Sequence, residues 1–134
     1  MFINDLFPKD WNSFFIGRQD EYLKAPSDAV KFALFGQWAN LDFVYTPRFD
    51  SDRFIDGRRL SFFNPAVGSL TGSNLPVRSA IPDQWFQDAE LAVRLYRNLG
   101  SWEAALYGYD GFWKSPAGIN PLTGQVTFPQ LRVW

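Results

Sequence analysis

Residues 88–111, DAELAVRLYRNLGSWEAALYGYDG, alternate apolar and polar side chains on both sides of a short turn, and that pattern confines them to a β-hairpin. On the first arm Ala89, Leu91, Val93 and Leu95 alternate with Asp88, Glu90, Ala92 and Arg94; on the second, Trp102, Ala104 and Leu106 alternate with Glu103, Ala105 and Tyr107. Successive side chains of a strand point to opposite faces, so each arm has one apolar and one largely polar face. Arg97-Asn98-Leu99-Gly100-Ser101 supplies the reversal, with Asn and Gly tolerating the positive φ of a tight turn.

The same device occurs upstream, in residues 30–46. Phe32, Leu34, Gly36 and Trp38 share a face opposite Lys31, Ala33 and Gln37, with Phe35 breaking the polar face. After a turn expected near Ala39-Asn40, Leu41, Phe43 and Tyr45 alternate with Asp42, Val44 and Thr46. An aromatic flanks each turn, Trp38 before one and Trp102 after the other.

The stretches between are of a different kind. Residues 1–28 read as a long loop with at most a helical turn around residues 19–24, ended by Pro26. Hairpin 1 occupies residues 29–49. Residues 50–87 form a connection rich in turn formers, too long for an ordinary loop and too aromatic for a solvated linker, so it should fold over something. Hairpin 2 takes residues 88–111. Residues 112–134 are a loop and the start of a further strand, interrupted by Pro129. The whole is expected to be one all-β domain of antiparallel, up-and-down hairpins.

Composition narrows the function. With no Cys and no His, thiolate and imidazole metal sites, the dyads that need them and any disulfide framework are excluded. A net charge of -1 gives no case for nucleic acid. MFINDLFPKDW lacks the basic start and apolar core of a signal peptide, and no apolar run is long enough for a membrane-spanning helix. Neither observation bears against a membrane β-barrel, whose strands need only about ten residues each with one apolar face.

Short turn, long loop, short turn, long loop is the asymmetry of such a barrel, with tight periplasmic turns and long extracellular loops. On that reading Lys31, Asp42, Glu90, Arg94, Glu103 and Tyr107 face a polar lumen, and the apolar faces point to lipid. Trp38 and Trp102 then lie in the inner aromatic girdle, while Tyr45, Tyr109 and Phe112 approach the outer one. An aromatic content of 19% suits these girdles. It equally suits a soluble β-rich carbohydrate-binding module with exposed stacking rings, in which the apolar face is covered by a second layer.

Three phrases, DFVYTPRFDSDRFIDGRRLSFFNP, DWNSFFIGRQDEYLKAPSDA and WEAALYGYDGFWKSP, resemble segments of large, mostly uncharacterised porin-like outer-membrane β-barrel proteins of Gram-negative bacteria. The resemblance implies a transmembrane barrel with long extracellular loops, outer-membrane lipid, lipopolysaccharide and the outer-membrane assembly machinery as partners, and a channel or scaffold role. Too few strands are present to close a barrel, for which eight is the usual minimum, so an internal fragment is expected.

Readings with chemistry fare less well. Asp50, Asp52 and Asp56 could gather around calcium, but Phe54 and Ile55 interrupt the EF-hand pattern, and solvated turns or salt bridges with Arg53, Arg58 and Arg59 are the plainer account. Those arginines could also meet lipopolysaccharide phosphates. Asp20 with Glu21, or Glu90 with Glu103, could be proposed as a glycosidase pair; the first would diverge, and the second shares its face with Arg94. Gly68-Ser69-Leu70-Thr71-Gly72 is not a nucleophile elbow. No enzyme activity, metal or cofactor is expected.

Overall fold

The computed structural model describes residues 6–64 and 67–134, and of Asp20 and Glu21 the backbone alone. It is mostly β and antiparallel. Its centre is a five-stranded sheet built from β1 (Val30–Phe35), β2 (Asn40–Thr46), β6 (Glu90–Leu99), β7 (Trp102–Phe112) and β10 (Gln130–Val133), arranged in that order and antiparallel throughout. The two expected hairpins are present and pair with each other through β2 and β6, Asp42 opposite Arg94 and Val44 opposite Ala92. Among the described strands, β1 and β10 each leave one edge unpaired, so no barrel closes.

Both turns are tighter than the alternation alone implied. β1 stops at Phe35, and Gly36, expected on the strand face with Trp38, belongs to the turn: its N–H donates to the Ala39 carbonyl at 3.1 Å. A Cβ at Gly36 would lie 2.8 Å from the Ala39 carbonyl oxygen, so only glycine lets the chain close here. In the second hairpin the strands run on to the Leu99–Trp102 pair, leaving Gly100 (φ 66°) and Ser101 as the reversal. Asn98 and Leu99, read as turn residues, extend the strand instead, because Gly100 supplies the positive φ by itself.

All the long connections leave from the other end of the sheet and fold together there. The first holds α1 (Trp11–Phe15), which sequence periodicity did not signal, and a 3-10 turn at Asp20–Leu23 where a helical turn was expected. Asp10 caps α1 by accepting the Ser13 N–H at 3.0 Å. The second connection carries the small hairpin β3 (Phe62–Asn64) with β4 (Ser69–Thr71), then β5 (Ser79–Ala80). β5 pairs parallel with β9 (Val126–Thr127), which also pairs with β8 (Gly118–Ile119), so the second and last connections are stitched together. Among the described residues, no helix is long and apolar enough to cross a membrane.

Burial on the sheet is inverted relative to a protein that hides its apolar face. β2 buries Asp42, Val44 and Thr46. On the opposite face Phe32, Leu34 and Leu106 are 60%, 64% and 72% exposed, whereas Phe43, Leu91 and Val93, expected to be equally bare, are half-buried. The covered face packs Val44, Ala92 and Tyr109 under Leu6 and Leu131. A second cluster lies beneath the connections: buried Phe49 meets Phe112 at 5.2 Å and Phe128 at 5.5 Å between ring centroids. Fully burying a phenylalanine is worth about 1.5–3 kcal/mol, which makes Phe49 the main apolar anchor of this cap.

Candidate functional site, a charged inner face

Cross-strand register fixes which side chains share a face. Asp42 stands opposite Ala33 on one side and Arg94 on the other, and Arg94 stands opposite Tyr107. Counting by twos from that row places Lys31, Asp42, Glu90, Arg94, Glu103 and Tyr107 together on one face, as expected. They divide into two groups.

Near the middle, charges of alternating sign cross the strands. Lys31 Nζ is 3.6 Å from Asp42, Arg94 is 3.9 Å from Asp42, and Arg94 also donates to Glu103. The guanidinium sits 4.1 Å above the Tyr96 ring and 5.7 Å from that of Tyr107, so two aromatics hold it in plane. Lys31 and Glu103 remain largely exposed, whereas Asp42 is buried, so the row presents both signs to water around an anchored core.

The second group sits at the cap. Glu90 is 4% exposed, accepts the Tyr109 hydroxyl at 2.5 Å and pairs with Lys114 at 2.5 Å. Lys114 also donates to the Asp50 carbonyl at 3.2 Å. Glu90 is therefore a buried anchor between sheet and connections, and each of its oxygens has a partner. Eight residues of β6 separate it from Asn98, the partner of Glu103, or about 27 Å of strand at ~3.4 Å per residue. The two carboxyls cannot flank one glycosidic bond, which requires a separation of roughly 5–9.5 Å. The side chains of Asp20 and Glu21 lie outside the described ones.

Tyr109 must be moved. Expected among the outer interface aromatics, it lies on the inner face with Tyr107 two residues before it, is buried, and points at Glu90. The period of two overrules the preference of tyrosine for interfaces. Phe112 lies on the outer-face phase but turns its ring against Phe49 in the cap cluster, because β7 ends there. Trp38 and Trp102 are exposed at the short-turn end, and Tyr45 is half-buried on the apolar face.

Of the acidic loop residues, Asp56 forms an expected ion pair with Arg58, whereas Asp52 and Asp50 take other partners. Asp52 is buried and accepts three hydrogen bonds from two other segments: the Lys9 N–H at 2.7 Å and the Trp11 indole N–H at 3.3 Å from the first, and the Ser115 hydroxyl at 2.5 Å from the last. Its own N–H donates to the Lys114 carbonyl at 2.8 Å. Asp50 pairs with Arg48 at 3.6 Å and accepts from Ser27, while Asp56 pairs with Arg58 at 3.4 Å. Arg53 pairs with Asp10 at 3.2 Å. Among the described residues no three acidic groups converge as a metal site would require. Burial pushes the Asp10 carboxyl up, but hydrogen bonds from Ser13 and Arg53 outweigh it and hold the group below its ordinary value.

Sequence reasoning missed Tyr96, Tyr109, Lys114 and Asp52 as members of this face and its cap. Tyr96 and Tyr109 were accessible by counting in twos from Arg94 and Tyr107; Lys114 and Asp52 lie in connections, where no period applies. Compared with family models, with curated proteins and with solved structures, the chain matches none.

Proposed function

We propose that this chain is part of the wall of a transmembrane β-barrel of the bacterial outer membrane, forming a porin-like channel or scaffold. The single observation that carries the reading is the inverted burial: the polar face of the sheet buries Asp42, Thr46 and Glu90, while on the other face Phe32, Leu34, Leu95 and Leu106 are exposed and Phe43, Leu91 and Val93 are half-buried. Contiguous apolar surface of this kind calls for a cover, and hydrocarbon is a cover that charged and polar strands cannot provide. At 10 and 11 residues, β6 and β7 have the length of a tilted strand that crosses a bilayer. The main strands follow one another in chain order, with short turns at one end and long connections at the other, as in an up-and-down barrel. Closure requires about eight strands, so neighbours on both edges belong to the same wall.

On this reading Lys31, Asp42, Arg94 and Glu103 line an aqueous lumen and set its preference among ions. The connections face outward, towards lipopolysaccharide, and the assembly machinery of the outer membrane inserts the protein. The test is insertion itself. The full-length protein carrying this chain, refolded into vesicles, should migrate faster unheated than heated on a gel and resist protease along β6 and β7. A soluble β-rich carbohydrate-binding module would instead stay in solution without detergent and bind oligosaccharide, and that outcome would replace the barrel.

A further inference from the structure

Two exposed tryptophan–arginine pairs bracket the apolar face. At the short-turn end Arg97 lies 6.0 Å from the Trp38 ring; at the opposite end Arg48 lies 5.2 Å from the Trp85 ring. The second pair has a further ring. Phe86 stacks 6.1 Å from Trp85 and is 72% exposed, with Trp85 at 52%.

Phe86 is the only described residue other than glycine with positive φ, at 65°. A bulky side chain does not adopt that conformation unless its surroundings impose it. Here the Phe86 N–H donates to the Pro47 carbonyl at 2.8 Å, one residue beyond β2. Gln84 and Asp88 close the turn around it: the Gln84 N–H meets the Asp88 carboxylate at 2.9 Å, and the Asp88 N–H meets the Gln84 carbonyl at 3.0 Å. The turn thus spends backbone strain to hold two large apolar rings away from the protein's own interior.

Resting on the barrel reading, we infer that Trp85, Phe86 and Arg48 form a lipid-headgroup site at the outer boundary of the membrane, with the rings at the acyl–headgroup junction and the guanidinium on a lipid phosphate. Pro47 and Ala89 each lie one residue past the Thr46–Glu90 pair, and Arg97 lies eight residues along the chain from Ala89. That is about 27 Å of strand, or roughly 20 Å in height at the usual tilt of about 40°, comparable with an apolar band of ~25 Å. Arg48 pairs with Asp50 through one guanidinium nitrogen at 3.6 Å, and its side chain is partly exposed, so its remaining donors can engage an anion. Arginine stacked on an aromatic ring presents its fork of donors in plane, the geometry suited to phosphate oxygens.

This chain has no cysteine of its own, so with any cysteine elsewhere in the protein replaced, a single label can be placed in it. In the full-length protein in phosphatidylcholine vesicles, nitroxides at Leu106→Cys and Phe86→Cys should report hydrocarbon depth and headgroup depth, respectively. Adding lipid A should lower access of an aqueous nickel reagent to the position-86 label several-fold, and Arg48→Gln should abolish that drop. Phe86→Gly, which relieves the strained φ while deleting the ring, checks that the turn folds. A water-exposed label at 106 would overturn the barrel. A label at 106 in hydrocarbon with 86 in bulk water would overturn this site alone. A lipid A effect indifferent to Arg48→Gln would overturn the phosphate contact.

Discussion

The hydroxyl of Tyr109 meets a carboxylate oxygen of Glu90 at 2.5 Å on the covered face of the sheet, and Gly111 makes the approach feasible. A Cβ at position 111 would lie 2.6 Å from that hydroxyl and 3.1 Å from Glu90 Cγ. Gly111→Ala should therefore displace the tyrosine. Tyr109→Phe removes a hydrogen bond to a charged acceptor, worth about 1.5–3 kcal/mol, and leaves Glu90 to Lys114 alone. Both variants should lower the urea midpoint of the refolded protein, Gly111→Ala by at least as much. Equal stability of Tyr109→Phe and the parent would show the bond contributes nothing.

Arg94 and Leu106 sit on opposite faces of one hairpin, which under the proposed barrel would face lumen and lipid respectively. Arg94→Gln removes the cation between Asp42 and Glu103, so the row becomes net negative and channels in planar bilayers should shift towards cations. Leu95→Arg and Leu106→Arg put a charge on the bare face, at a cost of about 2–4 kcal/mol near the bilayer midplane, and should impair insertion read by gel migration. If Arg94→Gln and Leu106→Arg damaged insertion equally, lipid would not distinguish the faces.

Asp52 joins the first, second and last connections by one carboxylate. Asp52→Ala leaves the Lys9 N–H, the Trp11 indole and the Ser115 hydroxyl without their acceptor, each worth roughly 1–3 kcal/mol when stranded. The cap should loosen as a unit, with protease cutting near Lys24 and Lys114 at similar rates while β6 and β7 stay protected. Cleavage confined to one connection would mean that the three do not move together.

The same cap should be sensitive to acid through Asp10, whose carboxyl is held below its ordinary value of 3.8. A depressed native pKa adds stability that is complete above 3.8 and is lost as pH falls through the lower native value. Protease sensitivity near Arg18 should rise over that acid range. Asp10→Asn, which keeps the α1 cap but not the charge paired with Arg53, should flatten the response, and Asp10→Ala should also weaken α1 by about 1 kcal/mol.

The central sheet was legible because its signal is geometric. Alternation around Asp42 and Arg94 assigned both faces of both hairpins, and register has only two phases to choose from. Tyr109 was misplaced when residue type was allowed to outweigh that phase. Turn positions slipped by a few residues because Gly36 satisfies a strand pattern and a turn equally until the Ala39 carbonyl is seen beside it. The cap was illegible for a different reason. The parallel pairing of Ser79 with Val126 joins two-residue strands far apart in sequence, and Asp52 gathers partners on both sides of it along the chain, so no local period records either. The short α1 carried a capping aspartate but too few turns to show a helical face.

The unpaired edge of β1 is a template. Its free N–H and C=O groups fix the spacing of any strand laid against it, and its pleat fixes the phase: a neighbour must carry apolar side chains beside Phe32 and Leu34 and small or polar ones beside Lys31 and Ala33. A strand offset by one residue would push charge outward and hydrocarbon inward along its whole length. Any strand proposed for this edge can thus be recognised by its rhythm before anything else about it is known.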